Sequence, residues 1–200
     1  MKNDMQLDTT INFIVSGLER SGTSLLMQML HAGGVPIGFD DIRSADENNP
    51  KGYFELEGGK IINRLIDNSF PFQQYKGRFI KITAYGLKFL PPGKYTVIYS
   101  ERNLDEILRS MEKMARTKDM NHEETKQSFL RLNEMIKQLL SSRSDVTVLY
   151  VNYNEIIRRP EYVVQQIYDF LKQPELDVYK MISVVDKKLY RQRHNLKSKK

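Results

Sequence analysis

Short apolar runs alternate with longer amphipathic stretches along most of the chain. The short runs have the length of buried strands, and in the longer stretches apolar residues recur three or four positions apart, as on one face of a helix. Strands that alternate with helices are typical of a parallel sheet covered on both faces. The pattern therefore predicts a three-layer α/β fold with a central, mostly parallel sheet flanked by helices.

The same pattern places the individual elements. Strands are predicted at residues 11–16, 79–83, 95–100 and 146–151. Helices are predicted directly after the first strand up to Gly33, at residues 59–68, from Asn103 or Asp105 onward, at residues 123–141, and from Pro160 to Leu171. Residues 35–57 are expected to be irregular. No boundary divides the chain, so residues 1–200 are expected to form one domain, with about 1–9 and 190–200 flexible.

Composition narrows the class of protein. The 200 residues are 40% hydrophobic and 28% charged, which is a globular composition and excludes a disordered or fibrous chain. Lysine and arginine (31) exceed aspartate and glutamate (25), and this balance favours anionic partners. There is no cysteine, which excludes disulfides and thiolate chemistry. Without an apolar run of roughly 18 residues or a signal segment, we expect no membrane span and a cytoplasmic protein.

A glycine-bounded turn joins the first strand to the first helix. Residues 17–24 read Gly-Leu-Glu-Arg-Ser-Gly-Thr-Ser. A strand, such a turn and a helix point several backbone N–H groups at an anion. Thr23 stands where a nucleotide triphosphatase has the phosphate-binding lysine, so hydrolysis of ATP is not expected. Arg20 supplies a cation that could clamp a transferred anionic group; the alternative is a solvated arginine on an ordinary turn.

The residues Arg20, Ser21, Gly22, Thr23 and Ser24 resemble the 5′-phosphosulfate loop of the sulfotransferases that use 3′-phosphoadenosine 5′-phosphosulfate (PAPS). Arginine before Ser-Gly-Thr is similar to the loop of tyrosylprotein sulfotransferases and of many bacterial relatives. The resemblance covers about residues 11–172. It implies a P-loop-like fold and a loop that binds the donor.

A second segment of the chain is similar to the strand and Arg-Asn-Pro motif of this family. Arg102 follows the third predicted strand, with Leu104 in place of the proline, and Ser110 lies at the family's spacing. The resemblance implies that Arg102 and Ser110 hold the 3′-phosphate of the donor. The alternative is an arginine paired with Asp105 or Glu106 and an ordinary helical serine.

Two further segments extend the resemblance. Lys81, in the second predicted strand, sits at the position of the family's catalytic lysine, while Thr83 occupies the position of the histidine base of the cytosolic enzymes. Tyr153, at the end of the last predicted strand, is a candidate to contact the adenine, and the alternative is an aromatic residue packed under the sheet. The three histidines, His31, His122 and His194, fall in none of these motifs and are expected to be structural or at the surface.

The resemblance implies a sulfotransferase that moves the sulfuryl group of PAPS in line to a hydroxyl or amine and releases adenosine 3′,5′-bisphosphate (PAP). In this scheme Arg20, Lys81 and the N–H groups of the loop stabilise the transferred group and the leaving phosphate, and no metal is required. With the histidine absent, a carboxylate is expected to be the base. The resemblance offers Asp41, which alternatively forms a turn, and Glu55, which alternatively is a surface residue or a substrate contact.

The acceptor is not encoded in any readable motif and could be a small molecule, a glycan or a peptide. Two other classes of function stay open. One is a kinase-like P-loop protein that binds ATP. The other is a non-catalytic anion-binding module whose basic tail contacts nucleic acid or an acidic protein. The chain does not match the glycine-rich C-terminal PAPS motif of the cytosolic family, and the resemblance offers Lys187, Lys188, Arg191 and Arg193 as its replacements. No nucleic acid partner is expected under the sulfotransferase reading.

Overall fold

A computed structural model describes residues 5–47 and 49–186 of the chain. Its strands form one sheet in the order β2-β1-β3-β4, and every neighbouring pair of strands is parallel. The strands are β1 (Asn12–Gly17), β2 (Phe79–Lys81), β3 (Tyr95–Glu101) and β4 (Val146–Asn152). Helices cover the sheet, so the predicted α/β class with a parallel sheet flanked by helices is confirmed.

The helices follow the strands in the alternation that the sequence predicts. In the described part of the chain they are α1 (Thr23–Ala32), α2 (Ile62–Ile66), α3 (Leu104–Ala115), α4 (His122–Ser142), α5 (Tyr153–Arg158), α6 (Pro160–Leu171) and α7 (Val178–Ser183). Three short 3-10 helices lie at Glu57–Gly59, Phe72–Tyr75 and Ala84–Phe89. None of the described helices is long and apolar enough to cross a lipid bilayer.

The sheet separates two apolar cores. Every residue of β1 is buried, and successive side chains point to opposite faces: Val15 joins one core and Ile14 joins the other. The first core packs the sheet against α1, α6 and α7, and the second packs it against α2, α3 and α4. Strands buried on both faces read as continuous apolar runs, which is why the sequence predicts them well.

Some elements differ from the sequence-based prediction. The second strand ends at Lys81, because Thr83 already precedes the 3-10 helix Ala84–Phe89. The helix predicted at residues 59–68 is shortened to α2, since Glu57, Gly58 and Gly59 all have positive φ angles and form a separate turn. The short helices α5 and α7 were not predicted, because so few residues give no clear helical period.

The ends of the chain were expected to be flexible. Within residues 5–9, Met5 and Leu7 are buried in the first core, at 6% and 4% exposure. Residues 1–4 and 187–200, including the basic tail with Lys187, Lys188, Arg191 and Arg193, lie outside the described residues.

Strand order places a crevice beside the turn that follows β1. In this order β1 and β3 are neighbours at the centre of the sheet. The connection after β1 leads outward to β2 at one edge, and the connection after β3 leads outward to β4 at the opposite edge. Connections that leave two adjacent parallel strands in opposite directions open a crevice at their carboxyl ends. The turn after β1 and the turn after β3 form the two sides of this crevice.

An ion pair closes the opposite end of the sheet, where β3 and β4 begin. Asp145 accepts hydrogen bonds from Arg143 Nε and Nη2 at 2.9 and 2.6 Å and from the backbone N–H of Gly93 at 3.2 Å. The hydrogen bonds from Arg143 hold the pKa of the Asp145 carboxyl well below its usual value of 3.8.

We predict that Asp145→Asn lowers stability at neutral pH, and that this loss shrinks in acid. A carboxyl group with a depressed pKa in the folded protein stabilises the fold above its unfolded pKa, and this contribution disappears as the pH falls. Urea denaturation of both proteins between pH 7 and pH 3 measures the difference. An equal difference in the free energy of unfolding at both ends of this range would contradict the prediction.

Candidate functional site

A cavity of about 310 Å³ opens at the carboxyl ends of the strands. Its lining comes from the turn after β1, the segment between α1 and α2, the end of β2, the residue after β3, the second half of α3 and the helix α5. Of the residues that the sequence singled out, the cavity brings together Arg20, Gly22, Thr23, Ser24, Glu55, Lys81, Arg102, Ser110 and Tyr153. These residues are far apart in the sequence, and they come close together because the parallel strands all end at the same edge of the sheet.

Two glycines let the turn after β1 pack closely against its neighbours. A Cβ atom at Gly17 would lie 2.5 Å from the carbonyl oxygen of Ser100, and one at Gly22 would lie 2.3 Å from the ring of Tyr153. Gly22 has a φ of 106°, which disfavours residues with a side chain. Ser100 Oγ donates to the carbonyl oxygen of Ser21 at 2.8 Å, which fastens the turn to the end of β3.

The turn leaves the N-terminus of α1 facing the cavity. Gly22 is the N-cap and brings no side chain to cap the helix, and the next residues, Thr23 and Ser24, also line the cavity. Backbone N–H groups at a helix N-terminus, together with the helix dipole, attract an anion. Ser21 Oγ is also buried here without a hydrogen-bond partner among the described residues. The turn has the form of an anion cradle.

Arg20 bridges the turn and α3. Its φ angle is 64°, and its Nε atom donates to Ser110 Oγ at 3.0 Å. Arg20 is therefore not a freely solvated side chain, because it is held across the cavity against the first turns of α3. This contact also brings Ser110, which is 8% exposed, to the wall of the cavity.

Arg102 lines the cavity and pairs with Glu106, one of the two partners that the sequence left open. Its Nε donates to Glu106 Oε2 at 3.1 Å, and its Nη1 donates to the carbonyl oxygen of Arg20 at 3.0 Å. The guanidinium lies over the ring of Tyr153, 4.3 Å from the ring centre. Tyr153 is packed between Gly22 and Arg102, and burial raises the pKa of its hydroxyl.

Lys81 is buried at the end of β2, and its ammonium group makes hydrogen bonds and an ion pair in the cavity wall. Its Nζ atom donates to the carbonyl oxygen of Tyr53 and, at 3.1 Å, to Ser24 Oγ. The same atom lies 2.8 Å from Glu55 Oε1 and forms an ion pair with it. Burial lowers the pKa of the Lys81 ammonium, and the negative charge of Glu55 opposes that shift. The contact with Ser24 places this ammonium directly beside the anion cradle.

Glu55 connects Lys81 to a second cation, Arg43. Oε2 of Glu55 accepts from Arg43 Nη1 at 2.9 Å, while Oε1 faces Lys81. The guanidinium of Arg43 stacks on the ring of Tyr53, 3.6 Å from its centre. Burial, followed by a hydrogen bond to Asp46, raises the pKa of the Tyr53 hydroxyl. Arg43 and Tyr53 were missed by sequence reasoning, because nothing in the irregular segment 35–57 shows which side chains return to the strand ends.

The other candidates lie elsewhere. Asp41 is exposed and does not line the cavity. Its neighbour Asp40 organises the loop, since its carboxylate accepts from the backbone N–H groups of Ile42 and Glu57. His31 packs against Phe39 and Phe54, His122 lies 3.6 Å from Glu112, and neither lines the cavity. His194 is outside the described residues.

Fold and site together define an α/β protein with an anion cradle at the carboxyl ends of its strands. Residues 10–199 match the family model described as "Sulfotransferase domain". The chain therefore belongs to the sulfotransferase domain family, which confirms the resemblance seen in the sequence. Among curated proteins, none matches the chain significantly.

Solved structures agree on the fold. The sulfotransferase STF1 from Mycobacterium tuberculosis H37Rv matches with a TM-score of 0.61 at 15% identity, over 87% of this chain and 71% of that chain. The sulfotransferase domain from the Synechococcus PCC 7002 olefin synthase matches with a TM-score of 0.56 at 17% identity, over 97% of this chain and 91% of that chain. At such low sequence identity, these structural similarities support the assignment of the fold alone.

We predict that Gly22→Ala destabilises the protein more than Gly34→Ala does. Both glycines have positive φ, at 106° and 86°, so both substitutions add backbone strain of roughly 1 kcal/mol. Only at Gly22 would the new methyl group also collide with the Tyr153 ring, because a Cβ at Gly34 has nothing within 4 Å. Thermal unfolding of the two variants measures the difference between their losses of stability.

A double substitution isolates the collision. In a Tyr153→Ala background the added cost of Gly22→Ala should fall to that of Gly34→Ala, because the ring is gone. An unchanged cost would show that the close approach of Gly22 to Tyr153 does not govern the turn.

Proposed function

We propose that the protein transfers the sulfuryl group of PAPS to a hydroxyl or amine acceptor and releases PAP. The observation that carries the proposal is the convergence of an anion cradle with Arg20, Lys81, Arg102 and Ser110 on one cavity. In the sulfotransferases that the sequence resembles, the residues at these positions bind the 5′-phosphosulfate and the 3′-phosphate of the donor. Membership of the sulfotransferase domain family supports the reaction class.

The charges of the cavity suit a highly anionic donor. Its lining includes the basic residues Arg20, Arg43, Lys81, Arg102 and Lys113, against the acidic residues Glu19, Glu55 and Asp186. This excess of positive charge adds to the open N-terminus of α1. A nucleotide with phosphates at both ends of its ribose would place one near the turn and the other near Arg102 and Ser110.

Tyr153 has a more limited role in this arrangement than the resemblance suggests. Gly22 covers one part of its ring and Arg102 covers another, which leaves the residue 8% exposed. We infer that Tyr153 mainly supports the turn and the Arg102 guanidinium. Only its remaining exposed edge is available to the adenine.

The reaction forms one bond and breaks another at sulfur. The acceptor oxygen or nitrogen attacks the sulfur atom in line, the bond from sulfur to the bridging 5′-phosphate oxygen breaks, and that oxygen keeps the electron pair. The acceptor's proton passes to a base. Arg20, Lys81 and the N–H groups of Gly22, Thr23 and Ser24 offset the negative charge that develops on the sulfuryl and leaving oxygens.

Glu55 is the better placed of the two candidate bases. Its carboxylate lies in the cavity wall within 2.8 Å of the Lys81 ammonium, which itself adjoins the cradle. Asp41 lies on the exposed loop outside the cavity. A base must be within hydrogen-bond reach of the proton that it removes, so we assign this role to Glu55.

The acceptor side of the cavity is largely apolar. Ile61, Ile62 and Leu65 from the α2 region line it, together with Leu18 and Ile82. We propose that an acceptor places an apolar part against this wall and its nucleophile near Glu55. Small molecules, glycans and peptides with such a part all satisfy this requirement, and a screen of alcohols, phenols, glycans and amines with radiolabelled PAPS compares them directly.

Calorimetric titration with PAP tests the donor assignment. We expect saturable binding of PAP and much weaker binding of ATP, since Thr23 replaces the lysine that holds the β- and γ-phosphates in ATP-binding loops. Absence of detectable PAP binding at millimolar ligand would overturn the proposed function. Tighter binding of ATP than of PAP would favour the kinase-like alternative.

We predict that Arg20→Ala and Lys81→Ala each lower turnover by about a hundredfold or more, as for the loss of a transition-state donor. Binding of PAP, which lacks the sulfuryl group, should fall much less. Steady-state kinetics with the best acceptor of the screen, and calorimetry with PAP, measure the two effects. Lys88→Ala is the matched control, because Lys88 is an exposed lysine that lies over Tyr85 outside the cavity lining. Equal losses of rate and binding would make Arg20 and Lys81 ground-state contacts instead.

We predict that Glu55→Gln lowers turnover by about a hundredfold, as for loss of a general base, whereas Asp41→Asn leaves it nearly unchanged. Each substitution replaces a carboxylate by an amide of the same shape, so the comparison isolates the proton acceptor. Turnover at saturating donor and acceptor is the measurement. The reverse order of effects would return the role of base to Asp41.

A further inference from the structure

A buried carboxylate that the proposed chemistry does not use lies directly behind the cavity. Glu106, in the first turn of α3, is 1% exposed. A buried carboxylate is costly unless charged or hydrogen-bonded partners offset the loss of hydration. The partners of Glu106 therefore indicate what it does.

Two partners of the Glu106 carboxylate lie on the side of the cavity where Tyr153 is found. Arg102 Nε donates to Oε2 at 3.1 Å, and Asn154 Nδ2 lies 3.2 and 3.3 Å from the two oxygens. Asn154 is the residue after Tyr153, whose ring supports the Arg102 guanidinium. Glu106 thus connects the end of β3 and the starts of α3 and α5.

Helix capping explains only part of this arrangement. Asn103 is the N-cap of α3, and its side chain accepts from the backbone N–H of Glu106, which gives the residue spacing of a capping box. A capping glutamate directs its carboxylate back to the N-cap backbone. The carboxylate of Glu106 instead contacts the side chains of Arg102 and Asn154.

Contacts along its edge and on its face orient the guanidinium of Arg102. Its Nε is held by Glu106, its Nη1 by the carbonyl oxygen of Arg20, and its plane by the ring of Tyr153. The guanidinium is planar, and contacts along its edge and on its face fix its position and its tilt. A preorganised guanidinium loses little conformational freedom when an anion binds, so it contributes more affinity.

We infer that Glu106, assisted by Asn154, is a positioning residue that orients Arg102 toward the 3′-phosphate of the nucleotide. This inference rests on the proposed function, because it assumes that Arg102 and Ser110 receive that phosphate. It assigns to Glu106 the selection of nucleotides with a 3′-phosphate over those without one.

The sign of the effect separates this role from simple electrostatics. A carboxylate close to an anion site repels the anion, so removing its charge should tighten binding if charge alone matters. If orientation matters, removing the carboxylate should weaken binding of the 3′-phosphate. If Glu106 only stabilises α3, its removal should lower stability and leave the preference between nucleotides unchanged.

The test compares the dissociation constants of PAP and adenosine 5′-monophosphate, which differ by the 3′-phosphate. For Glu106→Ala we expect PAP to bind about tenfold more weakly, as for the loss of one well-placed charge-assisted contact, and the monophosphate to change by less than about twofold. For Glu106→Gln we expect PAP affinity to stay within about threefold, because the amide oxygen still accepts from Arg102 Nε. Calorimetry measures both ligands.

Asp145→Asn is the matched control, since Asp145 also pairs with an arginine but lies at the opposite end of the sheet. It should lower stability without changing the ratio of the two dissociation constants. If Glu106→Ala does not fold, Asn154→Ala replaces it, with an expected loss of PAP affinity of about threefold and an unchanged affinity for the monophosphate.

An unchanged ratio in Glu106→Ala, or tighter PAP binding, would overturn the positioning role. Failure of the wild-type protein to bind PAP would instead overturn the proposed function. The two failures are therefore distinguishable.

Discussion

The close packing of the turn after β1 is the constraint on which the site depends. Gly17 and Gly22 approach Ser100 and Tyr153 so closely that neither position has room for a Cβ atom. This approach fastens the turn to the end of β3 and leaves the N-terminus of α1 open to the cavity. Arg20 belongs to this turn and donates to Ser110, and Arg102 donates to the carbonyl oxygen of Arg20, so the positions of both cations depend on the geometry of the turn.

Carboxylates accompany the cations at the heart of the site. Lys81 is paired with Glu55, and Arg102 is paired with Glu106, with all four side chains largely buried. A buried cation without such a partner would be costly in the empty protein, and burial lowers the pKa of Lys81 even with Glu55 present. The pairing therefore keeps these two cations in place at the cavity. Glu55 and Glu106 differ in location, since Glu55 faces the cavity and Glu106 lies behind it.

The sequence predicts the parts of this molecule whose signals are local. Buried parallel strands appear as apolar runs, and the strand positions agree with the structure to within two residues. The turn after β1 is contiguous, so its residues could be recognised together with the strand before it and the helix after it. Short helices such as α5 and α7 have too few residues to show a period.

Contacts between distant segments could not be predicted in this way. The choice between Asp41 and Glu55 depends on how residues 35–57, which have little regular structure, return to the end of β2. The stacking of Arg43 on Tyr53 depends on the same path. Glu106 was recognised in the sequence only as one of two possible partners for Arg102, and its burial and its contact with Asn154 become visible only when α3 and α5 are packed together.

A crystal structure of the protein with PAP is the most direct test of this view of the site. We expect the 5′-phosphate within hydrogen-bonding distance of the backbone N–H groups of Gly22, Thr23 and Ser24, and the 3′-phosphate beside Arg102 and Ser110. A bisphosphate bound away from the turn after β1, or bound there with its 3′-phosphate remote from Arg102, would contradict it.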